Sequence, residues 1–157
     1  MSQFLIYVNL PKHLSQFITH HLGEPVVFPP QSNENSVIRA FLHRRPDGLK
    51  PELPEEGMTA VAIPDSVSKP PEVFNYVGPK GKAAICEAIK DIFLRALWSE
   101  VSTLNNSAVG LNNLIAAWCE SHGIDVDQVE TVRQCYYRIR KSYDSKGIRI
   151  KKIFKKK

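Results

Sequence analysis

The chain has few cysteines, two methionines and no long apolar run. Its three cysteines, Cys86, Cys119 and Cys135, are odd in number and far apart, which argues against a disulfide framework and for reduced thiols in a cytosolic compartment. Apolar runs stop after a handful of residues, well short of the roughly 20 that a membrane-spanning helix needs. The opening MSQFLIYVNLPKH has no basic n-region and no small-residue cleavage site, so no secretory leader is expected. Several catalytic signatures are also missing: there is no GxGxxG, no Walker A sequence, no GxSxG, and no second CxxC or HxxxH. A cytoplasmic, non-enzymatic protein with no implied cofactor is the expectation that remains.

Acids are scarce at one end. From Arg133 to Lys157 there are eleven basic residues and a single acid, Asp144, a local charge of +10. The preceding residues carry −5, so the overall +5 of the 157-residue chain hides a mildly acidic body with a strongly basic end. Such asymmetry points toward nucleic acid or an anionic surface and says nothing by itself of fold.

What is present divides near residue 78. Gln3–Asn9 reads as a buried strand, and Leu14, Phe17, Ile18 and His21 fall at helical spacing over Lys12–Leu22, with Gly23 placed to end that helix. Pro25–Phe28 reads as a strand stub. Ser32–Asn35 reads as a turn, and Ser36–His43 and Met58–Ile63 as strands. Arg44–Gly57 and Pro64–Pro71 are rich in proline and read as loops. Residues 1–78 are therefore expected to form a small α+β unit of about four strands and one helix. Residues 79–157 are expected to form a three-helix unit: a long helix from Pro79 to Val101, a second from about Val109 to His122 closed by Gly123, and a third entered at Asp125 and running to about Tyr143. The final Gly147–Phe154 reads as a short strand or a basic tail.

The third helix carries the strongest chemical signal. At about 100° per residue, Val129, Val132, Tyr136, Ile139 and Tyr143 make an inward stripe. Gln134, Tyr137, Arg138 and Lys141 point away from it, with Arg133 and Arg140 on the flank. Arginine reaches guanine edges or phosphates, glutamine pairs with adenine, and tyrosine stacks or meets a phosphate. The last two helices and the short turn His122–Asp125 form a helix-turn-helix candidate, and the tail would serve as a wing strand or a phosphate-contacting arm. The expected nucleic-acid-binding residues are Arg133, Gln134, Tyr137, Arg138, Arg140, Lys141, Lys146, Arg149, Lys151, Lys152, Lys155, Lys156 and Lys157. Double-stranded DNA is the expected partner, with residues 1–78 available for a homodimer or protein contact and no membrane partner expected.

Other features have blander readings. Cys119-x-x-His122 has ligand spacing, but both residues lie on or beside one apolar helix face, so a buried thiol and a packed imidazole are expected rather than a metal site. Gly78-Pro79-Lys80-Gly81-Lys82 lacks the glycine spacing of a phosphate loop and reads as a helix-starting turn. Trp98 and Trp118 read as core, and Arg44-Arg45, with His43 and Lys50, as a solvated basic loop.

The stretch from Gly78 to Gly147 resembles the C-terminal domain of RteC-type regulators of bacterial mobile elements. GPKGKAAICEAI at Gly78–Ile89, LNNS at Leu104–Ser107, LIAAWCE at Leu114–Glu120 and YYRIRKS at Tyr136–Ser142 carry the likeness, which covers under half the chain. The resemblance implies a winged-helix or helix-turn-helix domain in a transcriptional regulator, or an accessory factor of a mobile element or phage. The competing expectation is a protein-interaction module whose sheet edge binds a partner and whose basic tail docks on an acidic surface.

Overall fold

The computed structural model describes residues 4–104 and 110–155, and for 146–155 the backbone path alone. The fold is α+β. In chain order the elements are β1 (Leu5–Asn9), α1 (Lys12–Leu22), α2 (Asn33–Phe41), β2 (Leu42–Arg44), β3 (Met58–Ala62), β4 (Phe74–Val77), α3 (Pro79–Leu104), α4 (Leu111–Ser121) and α5 (Val129–Lys155), with one 3-10 turn (Val126–Gln128) leading into α5. Two compact units divide within α3, at Met1–Ile92 and Phe93–Lys157.

The strands of the first unit form two small antiparallel sheets instead of one four-stranded sheet. β1 pairs with β3 from Leu5↔Ala62 to Asn9↔Met58. The stub after the cis Glu24–Pro25 peptide contributes a single parallel bridge, with Val26 N–H donating to Ala60 and its carbonyl accepting from Ala62, both at 2.8 Å. Ile6, Val8, Val26 and Val61 are buried, and Leu14, Phe17 and Ile18 of α1 are buried as well. Gly23 closes α1 at φ +82°, a conformation that glycine adopts without a Cβ penalty, and its N–H bonds the Thr19 carbonyl at 2.9 Å. His21, expected on the inner stripe, is exposed; His13 is the buried histidine of this helix.

The expected strand at Ser36–His43 is a helix for most of its length. The Ser32 hydroxyl accepts from Asn35 N–H at 3.2 Å and so caps α2. Asn35 Nδ2 donates to the Phe28 and Pro29 carbonyls, at 3.2 and 2.8 Å, and ties the new helix to the preceding segment. The residues read as a turn are thus the first turn of a helix, which adds a second helix to the expected one. Only Leu42–Arg44 remain extended, paired with β4 through Leu42↔Val77 and His43↔Tyr76, with a bulge before Arg44↔Phe74. Lys69, from the proline-rich loop, donates to the Arg39 and Leu42 carbonyls at 2.7 and 3.2 Å. This places a cation at the C-terminal end of α2, where the helix dipole favours it.

α3 enters the first unit through Gly81, which is buried against Phe41 and Val77. Ile85 and Ile89 follow in the core. The second unit is built from residues 93–104 of α3, α4, the 3-10 turn and α5. Phe93, Leu97, Val101, Ile115, Trp118, Cys119, Ile124, Val132 and Tyr136 form its core. The Phe93 and Trp118 rings meet edge to face at 5.7 Å. Gly123, at φ +72°, ends α4, and Ile124 N–H reaches back to the Cys119 carbonyl at 2.9 Å. Asp125 stands at the expected cap position but makes no side-chain cap. Gln128 N–H bonds its backbone carbonyl at 2.9 Å, which opens the 3-10 turn.

The third helix does not stop near Tyr143. α5 continues to Lys155, so the expected C-terminal strand is replaced by helix. A single interior glycine, Gly147, costs only about 1 kcal/mol relative to alanine. Helical periodicity also sets positions 150 and 154 on the sector of the inward stripe, an arrangement that the alternation Ile148-Arg149-Ile150 disguises as a strand. No helix among the described residues is long and apolar enough to cross a membrane.

Candidate nucleic-acid interface

α5 is amphipathic in the plainest sense. Val132 and Tyr136 are buried and Val129 and Ile139 half-buried, while Gln134, Tyr137, Arg138, Arg140 and Lys141 are exposed on the other side. Among the described residues no ion pair engages Arg138, Arg140 or Lys141. Tyr137 is 42% exposed and meets the buried Tyr136 ring edge-on at 6.2 Å. Asp144 is exposed and lies in the same sector, the one acid of the basic end.

Arg133 differs from its neighbours. It is half-buried and ion-paired with Glu130 one turn earlier, and that carboxylate pushes its guanidinium pKa upward. It belongs to the structure of the helix more than to the open cationic surface. The side chains of Lys146, Arg149, Lys151, Lys152 and Lys155 lie outside the described residues, as do Lys156 and Lys157 altogether. Their helix positions are informative on their own. At about 100° per residue, positions 151, 152 and 155 fall in the sector that holds 134, 137, 138, 140 and 141, position 149 falls at its edge and position 146 falls toward the inward stripe, and the helix from 134 to 155 is about 32 Å long.

Beneath this face, Trp98 of α3 is the feature that sequence reasoning misplaced. It is half-buried rather than enclosed. Its ring stacks on Tyr136 at 5.5 Å and 30° and on Tyr143 at 4.8 Å and 12°. The signal for it was the pair of tyrosines seven residues apart, two turns on one side of α5.

The second unit also holds a polar cluster that the sequence did not announce. Glu100 Oε2 accepts from Trp118 Nε1 and lies 2.9 Å from His122 Nε2. His122 is thereby directed to a carboxylate, while the Cys119 thiol is buried and pushed up to about 11 by that burial. Among the described residues no group of three or more histidine, cysteine or acidic side chains is arranged to hold a metal ion.

The secondary basic loop of the first unit is used internally. Arg45 donates from Nε to Asn75 Oδ1 at 3.1 Å, from Nη2 to the Asn75 carbonyl at 3.3 Å and from Nη1 to the Lys50 carbonyl at 3.1 Å, pinning the loop to the bulge of β4. Arg44 sits over the Phe74 ring, 5.5 Å from its centroid. Near the start of α3, Lys82 pairs with Glu52 at 2.5 Å. Among the described residues, Arg138, Arg140 and Lys141 on α5 have no such partners, nor do Lys50, Lys80 and Lys90, which are spread over a loop and α3. Comparison with protein-family models, with curated proteins and with solved structures finds no match to this chain.

Proposed function

We propose that the chain is a non-enzymatic DNA-binding protein that grips a duplex with the outer face of α5, acting as a transcriptional regulator or accessory factor of a bacterial mobile element or phage. The observation that carries this reading is the exposed row of Arg138, Arg140 and Lys141, with Gln134 and Tyr137 among them and no acidic partner bound. Arg138 and Lys141 would meet phosphates, Gln134 would read an adenine edge, and the cations from Lys146 onward would add sequence-independent affinity. The α4–turn–α5 segment would serve as the helix-turn-helix and α5 as its recognition helix, the role that the resemblance to RteC-type regulators implies.

Titration of a labelled duplex by fluorescence anisotropy at rising salt tests the proposal. Three phosphate contacts from α5 give a slope of log K against log salt of about −2.7, a roughly 40-fold loss between about 50 and 200 mM, and the C-terminal lysines steepen it. Replacing Arg138 and Lys141 by glutamine should flatten the slope by about 1.8. An unchanged slope would show that the face is wrongly assigned. Absence of binding at the lowest salt would dispose of the function.

A further inference from the structure

We infer that the first unit holds a binding site for a small molecule carrying a primary ammonium on an apolar body, in the cavity between the first turn of α2, the end of β3 and the proline-rich loop after it. The inference is independent of the nucleic-acid reading of α5, because the described residues lining the cavity all belong to Met1–Ile92.

The cavity measures about 650 Å³, within the range of about 300–1,000 Å³ usual for small-ligand pockets. Its walls are mostly apolar, Phe4, Phe28 and Ile63 among them, and three of the lining residues are prolines, which have no N–H to donate. Among the described residues, Asn35, Asp65 and Glu72 supply its polar side chains. Asn35 is only 3% exposed. Both hydrogens of its Nδ2 are committed to the Phe28 and Pro29 carbonyls, which fixes the orientation of the amide and turns Oδ1 away from them. Oδ1 accepts from no described group. No buried side-chain oxygen or nitrogen among the described residues lacks a partner, so this oxygen is reached from the cavity that Asn35 lines.

Charge makes the selection sharper. Asp65 and Glu72 are exposed, and among the described residues no ion pair engages either of them. Lys69, which lies between them in sequence, does not neutralise them, because its ammonium donates to the Arg39 and Leu42 carbonyls at the end of α2. The polar side chains of the cavity therefore offer two carboxylates and an amide oxygen, with no side-chain hydrogen left to donate. An anion is repelled. A ligand that is apolar throughout displaces water from Asn35 Oδ1 and leaves that acceptor unpaired, which is costly. A quaternary ammonium brings charge but no N–H. A primary ammonium brings both, with the apolar walls left for the body that carries it. A free amine and the lysine of a peptide share this chemistry, and the cavity volume favours the free amine.

The test follows backbone amide NMR signals of the full chain at neutral pH during titration with four probes: phenethylamine, its N-trimethylated analogue, phenethyl alcohol and a capped tripeptide with lysine at its centre. The amine should move signals of residues 27–35 and 62–72 in a saturable manner. The trimethylated analogue, which offers Asn35 no N–H, should bind about threefold to tenfold more weakly. The alcohol, which lacks the charge, should also bind more weakly than the amine, and the peptide no more tightly. Combining Asp65→Asn with Glu72→Gln removes the charge from two exposed side chains that hold no described contact, so the fold is kept. That variant should bind the amine about threefold to tenfold more weakly while its affinity for the alcohol stays the same. The site is overturned if the amine moves those signals no more than the alcohol does, or if the double variant binds it as well as the wild type. Equal binding of the amine and its trimethylated analogue overturns the role of Asn35 and with it the choice of a primary ammonium. Tighter binding of the peptide than of the amine overturns the small molecule as the source. None of these results bears on DNA binding by α5.

Discussion

Gly81→Ala is the sharpest probe of the packing. A Cβ built on Gly81 would stand 2.4 Å from Val77 Cγ1 and 2.7 Å from Phe41 Cβ. Carbon atoms prefer separations of about 3.5–4.0 Å, so both contacts are more than about 0.8 Å too close. Val77 is only 3% exposed, which leaves its methyl little room to rotate away. Phe41 Cβ is bonded to the backbone of α2, so relief there requires the helix end itself to move. Overpacking of this kind costs about 1–3 kcal/mol. The helical preference of alanine over glycine returns up to about 1 kcal/mol, and less so early in a helix. The net expectation is a loss of about 1–2 kcal/mol. In urea denaturation followed by circular dichroism, with an m-value of about 2 kcal/mol/M, the midpoint should fall by roughly 0.5–1 M. A midpoint that stays put or rises would mean that helix propensity decides at this position and that the close approach of α2, β4 and α3 does not.

Two further outcomes follow from buried titratable groups. Burial lowers the His13 pKa from 6.5, so the folded state prefers the neutral ring and the unfolded chain binds more protons between the two values. Stability should accordingly be full above about pH 6.5 and decline as pH falls toward the depressed native value. His13→Gln should flatten that decline in melts run across the window, and an identical pH profile would refute it. The Cys119 thiol, pushed up to about 11 and buried, should resist iodoacetamide at about pH 8 in the native protein and react in urea, as read by peptide mass mapping. Equal labelling in both states would contradict the packing of α4.

Sequence periodicity located the elements whose apolar residues recur over several turns. Leu14, Phe17 and Ile18 in α1, and Val132 and Tyr136 in α5, are buried as their spacing predicts, and the glycines at 23 and 123 close their helices. Short elements escaped because tertiary partners decide them. Residues 36–41 suit a strand by composition, yet the Ser32 cap and the bonds from Asn35 commit them to α2. β4 has no signal beyond a few apolar residues and exists because β2 lies beside it. The continuation of α5 was hidden for the opposite reason: isoleucines two apart mimic a strand, and only the helical phase inherited from Tyr136 and Tyr143 separates the readings. At the interface, exposure followed from the wheel, but ion pairing did not. The Arg133–Glu130 pair satisfies i,i+3 spacing, as do many pairs that never form.

The wedge of Trp98 between Tyr136 and Tyr143 also keys the longest helix of the second unit against sliding. A shift of one residue turns a helix by about 100° and moves it about 1.5 Å, which takes both rings off the indole. A whole-turn shift fares no better, since the pairs seven apart on either side are Val132 with Ile139, Arg133 with Arg140, Ile139 with Lys146 and Arg140 with Gly147. Two aromatic rings meet the indole in a single register. The azimuth of Arg138 and Lys141 is therefore set by a lock of three rings on the far side of the helix, and a change that loosened that lock would turn both cations together.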